Sequence, residues 1–335
     1  HAYWEQWFPA DWVSEMREQI RLWFYAQLFM SVVLVDRAPY RQVLSYEKLL
    51  DETGREMHGS LGNAIDADEA FERMGADIMR WMYCAQQPSQ NLRFGFGPAE
   101  EVKRKLLTLW NSVSFLVTYG SIEDFRPRYD DLAQGPRDVE LRPLDRWLLA
   151  RTQRFLADAE AAYESFLTVG VVRAFAAFVD DLSNWYIRRS RRRFWEDADE
   201  AAFRTLWYAL VQALRAVCPI MPFLSEHLWR NLAGEACEDA PESIFLAGWA
   251  APAPGLRDDS LLEEVAAGRQ AIELGRAARQ GAGMKLRQPL RRVVVCTLDP
   301  DARVAVGRQV EEVGGELNVK EVELGEDPGA VAELH

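Results

Sequence analysis

Gly54-Arg-Glu-Met-His-Gly-Ser-Leu-Gly-Asn63 lies between a strand pattern, Arg41–Tyr46, and a helix pattern, Asp66–Met74. Its glycines, Gly54, Gly59 and Gly62, permit the tight turns and close backbone approach of a strand-to-helix loop that cradles phosphates. An ordinary surface turn has the same composition, and the residues alone leave both readings open. His58 is either an exposed loop histidine or an acid–base residue. Upstream, Asp11–Val13 leads into a helical stretch near Glu18–Val35, and the turn Ala38-Pro39-Tyr40 precedes the strand. Downstream, the acidic start of Asp66–Met74 suits a helix N-terminus, and Gly75–Gln87 reads as another helix. Such alternation describes the closing part of an α/β nucleotide-binding sheet, with too few strands for a complete one.

Beyond the loop the pattern changes to helices. Pro98–Tyr119 is helical and meets a polar, proline-bearing segment, 121–143. Trp147, Leu148, Phe155, Leu156 and Ala159 recur at helical spacing, as do Phe175, Phe178, Val179, Leu182 and Tyr186. Ala201–Val217 is a third helix, and Pro219-Ile-Met-Pro222 opens a fourth. Helices joined so closely form a bundle. Ala250–Gly255 reads as a linker, followed by a helix over Ser260–Gln280 and a strand over Arg292–Leu298. The tail, Arg303–Leu324, suggests a helix and a pairing strand. The expected class is α/β followed by mainly α. Its regions are the nucleotide-binding part (1–97), a connecting helix and linker (98–142), a bundle (143–250) and a small α+β region (251–335).

With 335 residues, 49% hydrophobic and 27% charged, the chain buries a sizeable core over two or three domains. Cys84, Cys218, Cys237 and Cys296 are far apart, which argues against a zinc knuckle or a disulfide framework and for reduced thiols. The apolar run Leu22–Val35 is too short to span a bilayer and reads as a buried helix. The chain opens on His1, so the natural start is expected upstream. A net charge of −13 argues against general coating of nucleic acid but leaves room for a local basic patch.

Such a patch is present. Arg188, Arg189, Arg191, Arg192 and Arg193 follow Trp185-Tyr186 and precede Phe194-Trp195. Arginine forks match phosphate oxygens and stack on bases, and aromatic rings supply stacking platforms. Asp180, Asp181, Glu196 and Asp197 lie close enough in sequence to make the same stretch a salt-bridged helix face.

The loop resembles the KMSKS loop of class I aminoacyl-tRNA synthetases. Met57, Ser60, Leu61, Gly62 and Asn63 match, while Glu56 and Gly59 stand where the family has its two phosphate-holding lysines. The resemblance implies catalytic roles for Met57, His58, Gly59 and Ser60, and ATP contacts from Ser60, Gly62 and Asn63. Phe8-Pro-Ala-Asp11, Ser14-Glu15, Gln19, Arg21 and Trp23-Phe24 are similar to the segment before that loop in isoleucyl-tRNA synthetases. By that likeness Glu15 and Gln19 face the aminoacyl-adenylate and Trp23 the amino-acid side chain, although Met16 and Leu22 replace glycines and Glu18 an aspartate. The run from Asp180 to Trp195 resembles the family's anticodon-binding signature, implying tRNA contacts by Asn184, Trp185, Arg188, Arg189, Arg191, Arg192 and Arg193. Leu274–Arg279 with Lys285–Leu290, and Glu316–Val322, resemble later segments of the same family.

What the resemblance implies is an isoleucine–tRNA ligase: cytoplasmic, off the membrane, with isoleucine, tRNA and ATP with Mg2+ as substrates, and no metal site visible in this chain. No His-x-Gly-His occurs, and nothing here corresponds to an editing domain. The expectation is therefore a C-terminal portion, inactive without its N-terminal half. The alternatives are a free-standing tRNA-binding module, a split subunit, or a non-catalytic paralogue.

Overall fold

Alternating side chains over Ala10–Met16 (β1) and Tyr40–Tyr46 (β2) form a parallel two-stranded sheet, Ala10 opposite Tyr40 and Met16 opposite Tyr46. The computed structural model describes residues 2–326, so His1 and the end of the expected C-terminal region, 327–335, lie outside it. Helix α1 (Ala2–Trp7) precedes β1, and α2 (Trp23–Val35) makes the crossover to β2. Leu49–Leu50 (β3) and Leu92–Arg93 (β4) form a second parallel pair around α3 (Ala67–Arg73) and α4 (Ala76–Cys84). Asp66 begins α3 as its acidic context predicts, accepting hydrogen bonds from the backbone N–H groups of Asp68 and Glu69.

The long helix α5 (Phe96–Ile122) and the short α6 (Asp131–Gln134) lead to α7 (Pro143–Glu164). Helices α8 (Thr168–Asp180) and α9 (Arg188–Trp195) are joined by a π-helical stretch, Asp181–Ile187. Then come α10 (Glu200–Val217), α11 (Pro222–Trp229) and α12 (Asp259–Gly281), with Pro222 in the first turn of α11. The strand expected over Arg292–Leu298 is Leu290–Cys296 (β5), and Val319–Gly325 (β6) in the tail pairs with it in parallel. The single tail helix is instead two, α13 (Pro300–Gly307) and α14 (Val310–Leu317).

The chain forms two compact units, residues 1–140 with 154–252 and residues 141–153 with 253–335. The core of the first is α10, sixteen of whose eighteen residues are buried. Phe203 of α10 meets Phe194 of α9 at 4.9 Å, and Phe194 meets Phe115 of α5 at 5.0 Å. A buried ion pair crosses this core. Arg204 grips Asp131 through Nε–Oδ2 at 2.7 Å and Nη2–Oδ1 at 2.5 Å, and its Nη1 donates to the Arg137 carbonyl at 2.8 Å. The polar segment between α5 and α7 is thereby tied to the bundle. From α4, Asp77 accepts from the first N–H groups of α11, and Arg80 donates to the carbonyls of Pro219 and Ile220. Burial pushes the Cys218 and Cys237 thiols up to about 11, so both stay protonated at neutral pH.

One expectation is reversed. Leu22–Val35 is not a buried helix: within α2 only Phe24 and Ser31 are buried, while Tyr25, Phe29, Val33 and Leu34 are 59–78% exposed. Parallel sheets are normally covered on both faces, and α2 with β1 and β2 lacks such cover among the described residues. Opening free energy follows buried contact, so amides of β1, α2 and β2 will exchange about a hundredfold faster than those of α10, or more. Hydrogen-exchange mass spectrometry reads this directly, and equal protection would contradict it.

Candidate functional site

The glycine loop is stapled to itself. Leu50 and Glu56 form an antiparallel bridge, and Gly54 turns the chain at φ 88°. Asp51 gathers the turn: its Oδ1 accepts from the backbone N–H groups of Arg55 and Thr53 and from the Thr53 hydroxyl. The Arg55 N–H, the Asn63 amide and the Thr53 hydroxyl hold that carboxyl well below the usual carboxylate range. Asn63 Nδ2 donates to Asp51 Oδ2 at 2.8 Å and to the Glu56 carbonyl at 3.0 Å, while its Oδ1 accepts from the His58 N–H. Asn63, expected at ATP, thus has its whole amide engaged inside the loop. His58, Gly59 and Ser60 are exposed, Met57 is half-buried, and Gly62 closes a 3-10 turn at φ 64°.

Lys48 is the cation that the sequence reading missed. It sits immediately before β3, and the Leu50–Glu56 bridge folds Glu56 back onto it. Lys48 Nζ lies 2.8 Å from Glu56 Oε1 and 3.5 Å from Glu18 Oε1. The hydrogen bond and charge of Lys48 lower the Glu56 carboxyl, and His58 Nε2 stands 3.5 Å from the other Glu56 oxygen. Lys48 therefore joins the loop to the turn after β1, which holds Glu18 and Gln19 and lies between Glu15 of β1 and Trp23 of α2. Glu15 is near the C-terminal end of β1, where ligands bind in open parallel sheets. Gln19 Oε1 accepts from the Trp23 N–H at 3.1 Å, and the Trp23 ring is 40% exposed beside Phe24. The sheet end and the loop form one region, and Lys48 within it is paired with acids. A triphosphate there meets the Glu56 carboxylate and no side chain at position 59, so these residues do not fit a phosphate clamp.

The second site lies on α9 and the π-helical stretch before it. The π-helical stretch buries Trp185, Tyr186 and Ile187 in succession. Trp185, expected as a stacking platform, is 6% exposed, and Arg193, expected on RNA, is 7% exposed and paired with Asp199 at 3.0 Å. Both are corrections: the helix needs these side chains inside. Arg192 is exposed and bonded to Glu196 at 2.8 Å, the salt-bridged face foreseen as the alternative. Asn184 is exposed and donates to Asp180, and Arg188 Nε reaches the Asn184 carbonyl at 2.9 Å. Arg189 lies over the Trp185 ring at 4.5 Å, half-buried, and Arg191 is exposed. Trp195, in contrast, is 45% exposed and tilted against Tyr119. Its place at the end of the arginine run was visible in the sequence.

Among the described residues no group of three or more His, Cys, Asp or Glu is placed to hold a metal ion. No helix there is long and apolar enough to cross a membrane.

Residues 145–295 match the family profile described as anticodon-binding domain of tRNA ligase, and residues 2–95 match tRNA synthetases class I (I, L, M and V). The chain is 39% identical over 324 residues to the isoleucine–tRNA ligase of Thermus thermophilus, covering 95% of this chain and 31% of that protein. It is 37% identical over 327 residues to the isoleucine–tRNA ligase of Pyrococcus abyssi, covering 96% and 30%. Among solved structures, the LeuRS of Agrobacterium radiobacter in a ternary complex with tRNA and LeuAMS aligns with TM-score 0.58 at 15% identity. That alignment covers 94% of this chain and 37% of that one. Mycobacterium tuberculosis methionyl-tRNA synthetase with methionyl-adenylate aligns with TM-score 0.56 at 20% identity, over 73% and 52%. The structural likenesses establish the fold. The chain spans about 30% of the length of the curated relatives it matches.

Proposed function

The chain belongs to the class I aminoacyl-tRNA synthetases, and from that premise we propose that it is the tRNA-binding portion of a cytoplasmic isoleucine–tRNA ligase. The complete reaction joins isoleucine to ATP, with Mg2+, as an adenylate, releases pyrophosphate, and passes the acyl group to the tRNA 3′ end. We assign residues 1–97 to the closing part of the catalytic domain, 98–142 to a connector, 143–250 to the anticodon-binding bundle and 251–335 to a C-terminal α+β region. The bare face of α2 and the open edges of the β1–β2 pair are where the rest of that domain packs.

One observation carries the reading: Arg188, Arg189 and Arg191 share the short helix α9 with the exposed Trp195, within the anticodon-binding match. These guanidinium groups bind tRNA phosphates and Trp195 stacks an unpaired base. Hydrogen bonds to charged groups contribute about 1.5–3 kcal/mol each, so Arg188→Gln/Arg189→Gln/Arg191→Gln will weaken binding of an isoleucine tRNA about tenfold or more. Filter binding measures this, and an unchanged affinity would remove the helix from the interface. Arg193→Gln, by contrast, will lower stability more than affinity, because its partner Asp199 is inside.

A second reading is a tRNA-binding protein of the same family that does not activate amino acids. The acid-paired Lys48 and the carboxylate at Glu56 favour it.

A further inference from the structure

Between Glu273 and Asp299 the sequence contains no acidic residue, yet it carries Arg276, Arg279, Lys285, Arg287, Arg291 and Arg292 in a chain of net charge −13. Two of these cations are balanced within the second unit: Arg276 pairs with Glu316, and Arg292 with Glu323 at 3.0 Å. Lys285, Arg287 and Arg291 are exposed and have no carboxylate partner among the described residues. Lys285 and Arg287 sit on the connection from α12 to β5, whose residues 281–289 are all exposed, and Arg291 follows as the second residue of β5.

This connection is not slack. Arg279, 6% exposed, donates through Nη2 to three loop carbonyls, Lys285 at 3.2 Å, Leu286 at 3.1 Å, and Gln288. Asn318 Nδ2 holds the Leu286 carbonyl from the other side at 3.1 Å, and Met284 N–H returns to the Arg279 carbonyl at 2.8 Å. The Nε and Nη1 of Arg279 have no hydrogen-bond partner, so the clamp carries a desolvation penalty. A loop that only links a helix to a strand needs no such device. Fixing three cations in advance does lower the ordering cost of binding a polyanion.

We propose that Lys285 and Arg287 on the Arg279-clamped loop, with Arg291 at the start of β5, form a second tRNA contact that grips the phosphate backbone without reading bases. The inference rests on the tRNA-binding reading above, and the match to the anticodon-binding domain, which runs to residue 295, includes this loop. RNA is favoured over an acidic protein because two of the three groups are arginines, whose forks match phosphate oxygens.

The test is filter binding of the full chain to transcripts of an isoleucine tRNA and a non-cognate tRNA, from roughly 50 to 200 mM salt. Each neutralised phosphate contributes about 0.7–0.9 to the slope of log affinity against log salt, so Lys285→Gln/Arg287→Gln/Arg291→Gln will make it shallower by about 2–3. Both tRNAs will lose affinity equally. The charge-preserving Lys285→Arg/Arg287→Lys/Arg291→Lys will keep the original slope. An unchanged slope in the glutamine variant overturns the contact, and a loss confined to the isoleucine tRNA overturns its indifference to bases. If the unaltered chain binds neither tRNA, the anticodon-domain reading fails as well. If it binds both and only the slope prediction fails, the main reading stands without the second contact.

Discussion

Gly59→Lys, made in a protein that also carries the remaining catalytic elements, will raise isoleucine-dependent pyrophosphate exchange by about 10²–10³-fold. That is the usual effect of one preorganised donor aimed at charge developing in a transition state. The position accepts a side chain: a Cβ built on Gly59 meets nothing within 4 Å, and the residue is exposed. Glu56→Lys is the weaker restoration. It breaks the 2.8 Å pair with Lys48 and leaves two cations side by side, so part of any gain is offset by repulsion within the loop. If exchange with Gly59→Lys stays at the starting level, a missing loop cation is not what limits activation.

Arg204→Met will destabilise the first unit by about 3–5 kcal/mol, read as a shift of its urea unfolding transition. Both members of the Arg204–Asp131 pair are 1% exposed, and the substitution leaves the Asp131 carboxylate buried without its donor. Replacing both partners by apolar residues, Arg204→Met/Asp131→Leu, will recover most of the loss, because the unpaired charge and not the missing attraction dominates it. A loss below about 1 kcal/mol for the single variant would mean that water reaches Asp131.

Elements governed by local chemistry were legible in the sequence. Asp66 capping α3, Pro222 opening α11 and the apolar spacing from Phe175 to Tyr186 all follow from short-range rules. What escaped depends on distant partners. The burial of Arg193 is set by Asp199 and the wide turn at Asp181–Ile187, and no period-3.6 pattern predicts a π-helical turn. Lys48 escaped because the Leu50–Glu56 bridge, not its sequence neighbours, brings Glu56 to it. The run in α2 was expected inside because it is apolar, but burial needs a partner as well as composition, and the described residues supply none. The role of Asn63 as the internal staple of the glycine loop required coordinates.

The central claim is that the helical bundle recognises a tRNA through its anticodon. Competition filter binding between an isoleucine tRNA transcript and the same transcript with its anticodon replaced tests it most directly. Losing even one well-made base contact costs about 1–3 kcal/mol, so the replaced transcript will bind this chain roughly tenfold more weakly at equal salt. Equal affinity for the two transcripts would contradict the assignment.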